Sequence, residues 1–151
     1  MQLTQKECTL LKDLKDNEQL CIDKYTKHSE VAHDPQLKNL FSSLAEDERK
    51  HLDTLTQIEN GTVPMGSGGS QTMPSFSTTY GVGDSSSAAK DDAYLCSDVL
   101  AGEKQVSHLY DTCIFEFNDE AVRETLAGIQ KREQMHGKMI YDYMKANGMY
   151  Q

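Results

Sequence analysis

Six acidic and imidazole residues recur in the sequence as two sets at a fixed offset of 85 residues. In each set a Glu is followed 30 residues later by a Glu-x-x-His motif. The six residues are Glu18, Glu48, His51, Glu103, Glu133 and His136. A Glu in the middle of a helix is usually a solvated surface residue, and one Glu-x-x-His is common by chance. Because residue type and spacing coincide twice, the repeat favours a shared chemical role for all six residues.

Residues three apart lie on one face of a helix, so each Glu-x-x-His motif can present an oxygen and a nitrogen to the same side. Four carboxylates in a helical core would repel one another and lose hydration. Two divalent cations would cancel those four negative charges. One Glu from each of two helices, with Glu-x-x-His from each of the other two, is the ligand set of di-iron and di-manganese bundles. Mixed carboxylate and imidazole ligation suits Fe or Mn, so the sequence predicts two such ions at the six residues.

Other polar residues near the two sets are assigned different roles. Tyr25 and Tyr110 repeat at the same offset, seven residues after Glu18 and Glu103, and are expected to hydrogen-bond across the bundle to a ligating carboxylate. A third Glu-x-x-His, at Glu30 and His33, has no counterpart in the other half and is predicted to lie on the surface. His28 and Cys21 fall on the inward face of the first helix, where packing roles are favoured.

Four predicted helices position these residues. A capping box of Thr4 and Glu7 opens the first helix, which runs to about residue 32, and Asp34-Pro35 opens a second that ends at Gly61. Residues 61–87 are rich in Gly, Ser and Thr and read as a long connection. The third helix is expected over about 88–117, and a fourth, capped by Asn118 or Asp119, ends at Gly148. The inward stripe of each helix is apolar except for a central Glu.

Two helix pairs joined by one long connection predict an all-α fold, a ferritin-like four-helix bundle with one long crossover between helices 2 and 3. The 151 residues are the size of one domain, with helix pairs at about 4–60 and 88–147 and a linker at 61–87.

Charge and composition exclude several other classes of protein. The formal net charge of −9 argues against a nucleic-acid partner, which needs clustered Lys and Arg. The charged opening MQLTQKECTLLKDLKD lacks the apolar core of a signal peptide, and no apolar run reaches the length of a membrane span. We therefore expect synthesis in the cytoplasm and no membrane contact. The four Cys include no Cys-x-x-Cys pair, which argues against a zinc knuckle or a redox pair. A disulfide framework is not expected, because three of the four fall on helical core faces, where free Cys behaves as a small hydrophobe.

The repeated set resembles the dimetal motif of the ferritin-like superfamily, including rubrerythrin-type erythrins and bacterioferritins. Two stretches of the sequence are similar to the spore coat protein F family of endospore-forming bacteria. They are YDTCIFEFNDEAVRETLAGIQKREQMHGKMIYDYMKANGMYQ and LTQKECTLLKDLKDNEQLCIDKY. That resemblance implies expression during sporulation and a place in or near the spore coat, with coat proteins or further copies of the chain as partners. The rubredoxin-like iron centre of rubrerythrins is not expected, because the sequence has no Cys-x-x-Cys pair.

Two functions follow from these features. The first is a bundle with a di-iron or di-manganese centre that reduces peroxide or oxygen, or sequesters iron; Glu48 and Glu133 would bridge the ions, and Glu18 and Glu103 would be terminal ligands. The alternative is a structural spore coat component whose metal site is structural or empty.

Overall fold

The computed structural model describes residues 1–64 and 71–150, and within these ranges the chain is all-α. Its four helices are α1 (Gln5–Val31), α2 (Pro35–Glu59), α3 (Ser87–Glu116) and α4 (Glu120–Ala146). The predicted four-helix bundle with a long connection between the second and third helices is therefore confirmed. Of that connection, residues 65–70 lie outside the described ranges.

Local capping signals set the ends of the helices. Thr4 and Glu7 form the expected capping box at the start of α1, and Asp34 caps α2 ahead of Pro35. Ser86 and Asp119 each accept a backbone N–H at the start of α3 and α4. Just beyond α2 and α4, Gly61 (φ 87°) and Gly148 (φ 68°) take the left-handed conformation that ends a helix at low steric cost.

The pairing of residues across the bundle gives the helix directions. Tyr25 and Tyr110 hydrogen-bond to Glu103 and Glu18, so α1 and α3 are antiparallel. His51 and His136 lie against Glu133 and Glu48 in the same crossed manner, so α2 and α4 are antiparallel as well. The short α1–α2 and α3–α4 turns make the partners within each pair antiparallel, and the connection between α2 and α3 must therefore return along the length of the bundle.

The last part of the crossover lies along α2 and α4. Gln71 donates to Asp47 in α2, and the Phe76 ring packs edge-on against Tyr143 in α4. The backbone N–H groups of Thr79 and Tyr80 both donate to Asn147 Oδ1. The crossover is thus held by side chains of both helix pairs before α3 begins.

Two apolar clusters fill the bundle, one at each end. The first contains Tyr25, Phe41, Leu44 and Ile140 among others, and the second contains Leu14, Leu55, Val106 and Leu126 among others. Between them lie the buried charged residues of the middle of the helices. The polar layer is therefore closed above and below by close-packed hydrocarbon.

The buried face of α1 is the one place where the expected inward stripe is wrong. Cys21 and His28 are only half-buried, whereas Ile22, which was not expected in the core, is 6% exposed. The reason is that α1 packs on α2 along one side and on α3 along the other. Its buried surface is consequently wider than a single stripe, and Cys21 and His28 lie on its α3 edge. His28 pairs there with Asp98, at 2.8 Å.

The internal repeat is visible in how each half holds the turn of the other. Glu7 in α1 accepts the backbone N–H of Asn118, between α3 and α4. Its counterpart 85 residues on, Asp92 in α3, accepts the backbone N–H of His33, between α1 and α2. Both acids are buried. The two halves are thus related by an approximate twofold exchange, in which a buried acid of one half fixes the interhelical turn of the other.

Replacing Asp92 with Ala is expected to destabilise the fold strongly. Asp92 is 0% exposed and accepts three hydrogen bonds, from the backbones of His33 and Asp34 and from the Tyr80 hydroxyl. Because each donor left buried without an acceptor costs about 1–3 kcal/mol, we expect a loss of about 3 kcal/mol or more in urea unfolding. The neighbouring exposed Asp91→Ala is the matched control and should change the unfolding free energy by less than about 0.5 kcal/mol. Equal effects of the two substitutions would contradict this account.

Among the described residues, none of the helices combines the length and apolar character that crossing a bilayer requires.

Candidate metal centre

All six residues of the repeated set converge at the middle of the bundle. Their exposed fractions are 0% for Glu18, Glu48, Glu133 and His136, 3% for Glu103 and 7% for His51. The structure groups potential ligand atoms into two clusters, within each of which the atoms lie no more than 4.8 Å apart. One cluster is Glu18, Glu48, His51 and Glu133, and the other is Glu48, Glu103, Glu133 and His136. Glu48 and Glu133 belong to both, which is the geometry expected of bridging carboxylates.

The two imidazole rings face each other across the centre. Their centroids are 5.7 Å apart and their planes differ by 18°. Nδ1 of His51 lies 2.8 Å from Glu133 Oε1, and Nδ1 of His136 lies 2.9 Å from Glu48 Oε1. Each Glu-x-x-His motif therefore directs its Nδ1 atom inward, toward the carboxylate of the other motif.

Each remaining carboxylate is held by a tyrosine of the opposite half. The Tyr25 hydroxyl donates to Glu103 Oε1 at 2.5 Å, and the Tyr110 hydroxyl donates to Glu18 Oε1 at 2.5 Å. Burial, followed by the negative charge of Glu103 for Tyr25 and of Glu18 for Tyr110, raises both phenol pKa values well above their usual value. The two phenols therefore remain neutral donors, in the arrangement expected from the sequence.

Three carboxylate oxygens of the centre have no hydrogen-bond partner. Within residues 1–64 and 71–150, the buried side-chain atoms without a partner are Glu18 Oε2, Glu103 Oε2 and Glu133 Oε2. A buried carboxylate oxygen that is not hydrogen-bonded carries a large desolvation cost. These orphaned oxygens, together with two inward Nδ1 atoms, fit a set of hard and borderline ligands for divalent cations.

Without a metal, the centre balances its charge with protons. Burial raises the pKa of Glu18 and of Glu133 well above the usual carboxyl value, and the neighbouring carboxylates add to the effect. Burial alone would also raise the pKa of Glu48, but Glu18, His136 and His51 outweigh it and hold that pKa well below its usual value. His136 is buried, which lowers its pKa, yet its contacts with Asp47, Glu103 and Glu48 raise the pKa well above the usual value.

Asp47 is a member of the site that the sequence did not reveal. Its Oδ2 atom lies 3.2 Å from His136 Nε2 and 2.8 Å from the Gln71 amide of the crossover. Arg132 donates to the other end of Gln71. For Nδ1 of His136 to hold a metal, the ring proton must be on Nε2, and Asp47 is the acceptor that would fix this tautomer. The repeat could not identify Asp47, because its counterpart in the other half is Arg132.

The other polar residues considered in the sequence lie away from the centre. Glu30 is exposed, and His33 pairs with Asp91 at the surface, as expected for a chance motif. Cys21 is half-buried and borders a small cavity beside Glu103. All four cysteines are free, and none has a partner within disulfide distance.

Loss of either tyrosine hydroxyl is expected to weaken metal binding while leaving the helices intact. In Tyr25→Phe or Tyr110→Phe, one carboxylate of the centre loses the tyrosine hydrogen bond that orients it, so we expect a Kd about tenfold or more weaker. Competition titration of Co(II) against a chelator measures this change. Tyr94→Phe, on the exposed face of α3, is the control, and equal affinities in all three variants would show that the hydroxyls do not orient ligands.

Fold and centre together define a class of protein, a four-helix bundle with two adjoining carboxylate–histidine clusters in its core. Residues 91–151 match the family model of the Coat F domain, which covers most of α3 and all of α4. This match confirms the resemblance to the spore coat protein F family. It does not extend to the N-terminal stretch, whose similarity stays a prediction. Comparison with curated proteins and with solved structures finds no match.

Proposed function

We propose that the chain binds two transition-metal ions, Fe or Mn, at Glu18, Glu48, His51, Glu103, Glu133 and His136 in a ferritin-like bundle. The observation that carries the proposal is the set of three orphaned carboxylate oxygens, Glu18 Oε2, Glu103 Oε2 and Glu133 Oε2, in a core that also directs two Nδ1 atoms inward. Two divalent cations would supply the positive charge that four buried carboxylates require. Protons and imidazolium are the alternative compensation in the metal-free chain.

The proposed activity is reduction of peroxide or oxygen, or sequestration of iron. Bound Fe or Mn would supply the electrons for such a reduction by changing oxidation state. The chain's own residues would do the rest: Tyr25 and Tyr110 orient Glu103 and Glu18, and Asp47 holds the proton of His136 on Nε2. The apolar clusters on both sides limit access of bulk water to the centre.

The proposed place of action is the spore coat or its surroundings, after synthesis in the cytoplasm. The support is the Coat F domain match over residues 91–151. Partners would then be other coat proteins or further copies of the same chain.

A second candidate function is that of a structural coat component, and one observation favours it. In the metal-free protein the core can balance its charge by protonation. The pKa values that allow this are the raised ones of Glu18, Glu133 and His136 and the lowered one of Glu48. A bundle with this balance can persist without any ion. The centre would then be a retained ligand set with no catalytic role.

Elemental analysis of freshly purified protein, without added metal, separates these functions. About two Fe or Mn per chain supports the dimetal centre, and hydrogen peroxide consumption by that protein then tests the activity. Many ions per chain would indicate storage. No metal, and no uptake after anaerobic addition of Fe(II), would overturn the proposal and leave the structural role. Glu30→Gln, which removes an exposed Glu of the third Glu-x-x-His, is the matched control and should bind metal like the unmodified chain.

A further inference from the structure

A small opening leads from the surface of the bundle toward the candidate metal centre. It lies between α1 and α3, has a volume of about 10 Å³, and reaches Glu103. Its lining residues are Cys21, Lys24, Tyr25, Val99, Gly102 and Glu103. Three of these, Cys21, Lys24 and Gly102, are half-buried and form the outer rim. The opening therefore brings solvent close to Glu103, whose Oε2 atom is itself buried.

The residue at the inner end of the opening is suited to face a ligand. Glu103 is 3% exposed, and its Oε1 atom is occupied by the Tyr25 hydroxyl. Its Oε2 atom has no hydrogen-bond partner among the described residues. Glu103 therefore combines an unpartnered buried oxygen with a position that borders an opening at the surface.

The opposite face of the centre, related by the internal repeat, differs at four of these six positions. The residues 85 positions away from the lining set are Leu14, Asn17, Glu18, Val106, Leu109 and Tyr110. Asn17 stands where Gly102 has no side chain, and Val106 takes the place of Cys21. Leu14 and Glu18 are 0% exposed and Val106 is 2% exposed. The Asn17 amide donates to the backbone oxygen of Asp13 in its own helix, so the opposite face carries a polar side chain where Gly102 leaves none.

The size and polarity of the opening restrict what can pass. A volume of about 10 Å³ is close to the minimum that holds one water molecule. Burial raises the pKa of the Cys21 thiol far above its usual value, so this part of the rim is neutral. Lys24 is paired with Asp98 at 3.0 Å, so its charge is partly balanced. A hydrated ion is too large for this path, and a molecule of two heavy atoms enters only when the half-buried Cys21 and Lys24 side chains at the rim move aside.

We infer that the opening between α1 and α3 is an entry site for an uncharged molecule no larger than hydrogen peroxide, admitted past Gly102 to the Glu103 side of the centre. This inference deepens the proposed function, because it names the substrate class and its path. It requires that α3 carry no side chain at position 102. That requirement also explains a glycine in the middle of a helix, where Gly is about 1 kcal/mol less favourable than Ala.

Gly102→Asn tests the inference by installing the residue that the other half carries at this position. A Cβ at position 102 would lie 3.9 Å from the Lys24 Nζ atom at the end of a flexible side chain, an ordinary van der Waals contact, so the first atom of the new side chain fits without a shift of the helix. Gly128→Asn in α4 is the matched control, since it makes the same change in an exposed helical position with open space around it. Any general effect of the substitution on helix stability is shared by both variants.

The first measurement uses the Fe(II)-loaded protein and follows its oxidation by hydrogen peroxide and by the bulkier cumene hydroperoxide. We expect hydrogen peroxide to react much faster with the unmodified chain, and Gly102→Asn to slow that reaction about tenfold or more. Metal content should stay the same, and Gly128→Asn should match the unmodified chain. An undiminished rate in Gly102→Asn, or equal rates with the two peroxides, would overturn the inference.

The second measurement needs no metal and tests whether position 102 controls access to the rim of the opening, where Cys21 lies, even if the centre binds no ion. Metal-free protein is treated with methyl methanethiosulfonate, a small uncharged thiol reagent, and each cysteine is followed by peptide mass spectrometry. Gly102→Asn should slow the modification of Cys21 severalfold and leave exposed Cys8 unchanged. An unchanged Cys21 rate would show that position 102 does not control the opening. If the chain binds no metal but Gly102→Asn slows the modification of Cys21, the proposed function is rejected and the inference about position 102 is kept.

Discussion

Glu48→Gln or Glu133→Gln should abolish binding of both metal ions, whereas Glu18→Gln or Glu103→Gln should abolish binding of one. The reason is the shared membership of the two clusters: Glu48 and Glu133 contribute ligand atoms to both, and Glu18 and Glu103 to one each. Gln has the shape of Glu but lacks the charge that attracts the cation. The expected stoichiometries are about zero and about one ion per chain, against two for the unmodified protein.

Titration of the metal-free variants with Co(II), followed by its visible absorption and by elemental analysis, measures these stoichiometries. The free energy of unfolding of the same metal-free variants shows whether each variant keeps the fold. Glu18→Gln and Glu133→Gln should leave the bundle as stable as before or more stable, because burial raises the pKa of both carboxyl groups and disfavours their charge. Glu48→Gln should lower the stability, because it removes the carboxylate that contacts both His51 and His136. A loss of one ion in all four variants would show that no carboxylate bridges. Unchanged binding in all four would place the metal elsewhere.

The metal-free protein should lose stability as the pH rises from about 5 to 8. Glu18 and Glu133 have raised pKa values in the folded chain, so their contribution is complete below the unfolded pKa of about 4.3 and is lost as the pH passes through the folded values. The pKa of His136 is also raised, and its contribution is lost above about pH 6.5 in the same direction. Glu48, whose pKa is lowered, loses its contribution only at acid pH and does not oppose the trend.

Each of these three groups contributes a slope of up to about 1.4 kcal/mol per pH unit while it is protonated only in the folded state. Urea unfolding at several pH values measures the sum. Saturating metal should abolish the decline, because the ligands bind metal after releasing their protons, and each ion at 1,000 times its Kd adds about 4 kcal/mol. Metal-free Glu18→Gln/Glu133→Gln is the control and should show a shallower decline. A metal-free stability that rises over this range would contradict the charge balance described for the core.

The fold and the position of the centre could be predicted because they depend on periodic and repeated features. The 3.6-residue period of a helix sets which positions face inward. Four residues of the centre fall on such positions: Glu48, His51, Glu133 and His136. The crossover could be recognised because Gly- and Ser-rich sequence cannot continue a helix. The tyrosine contacts followed from the same repeat, since Tyr25 and Tyr110 lie two turns from Glu18 and Glu103 on antiparallel helices.

Features that break the repeat could not be predicted in this way. Asp47 and the Gln71 amide of the crossover meet at His136 because of tertiary packing, and no local pattern links residues so distant in sequence. The half-buried position of Cys21 depends on how α1 divides its contacts between α2 and α3. Gly102 carries no periodic signal at all, yet its missing side chain makes the two faces of the centre different.

The contacts that each half makes with the turn of the other bear on the evolutionary origin of the chain. Glu7 accepts a hydrogen bond from the turn of the second half, and Asp92 accepts one from the turn of the first. A tyrosine of each half also donates to a carboxylate of the other half. Each of these contacts joins the two halves, so a single helix pair could form them only with an identical copy of itself. The chain therefore has the architecture of an ancestral homodimer made continuous by gene fusion, with the crossover as the added joint. In one continuous polypeptide the two faces of the centre can diverge separately, as Gly102 and Asn17 at related positions have done.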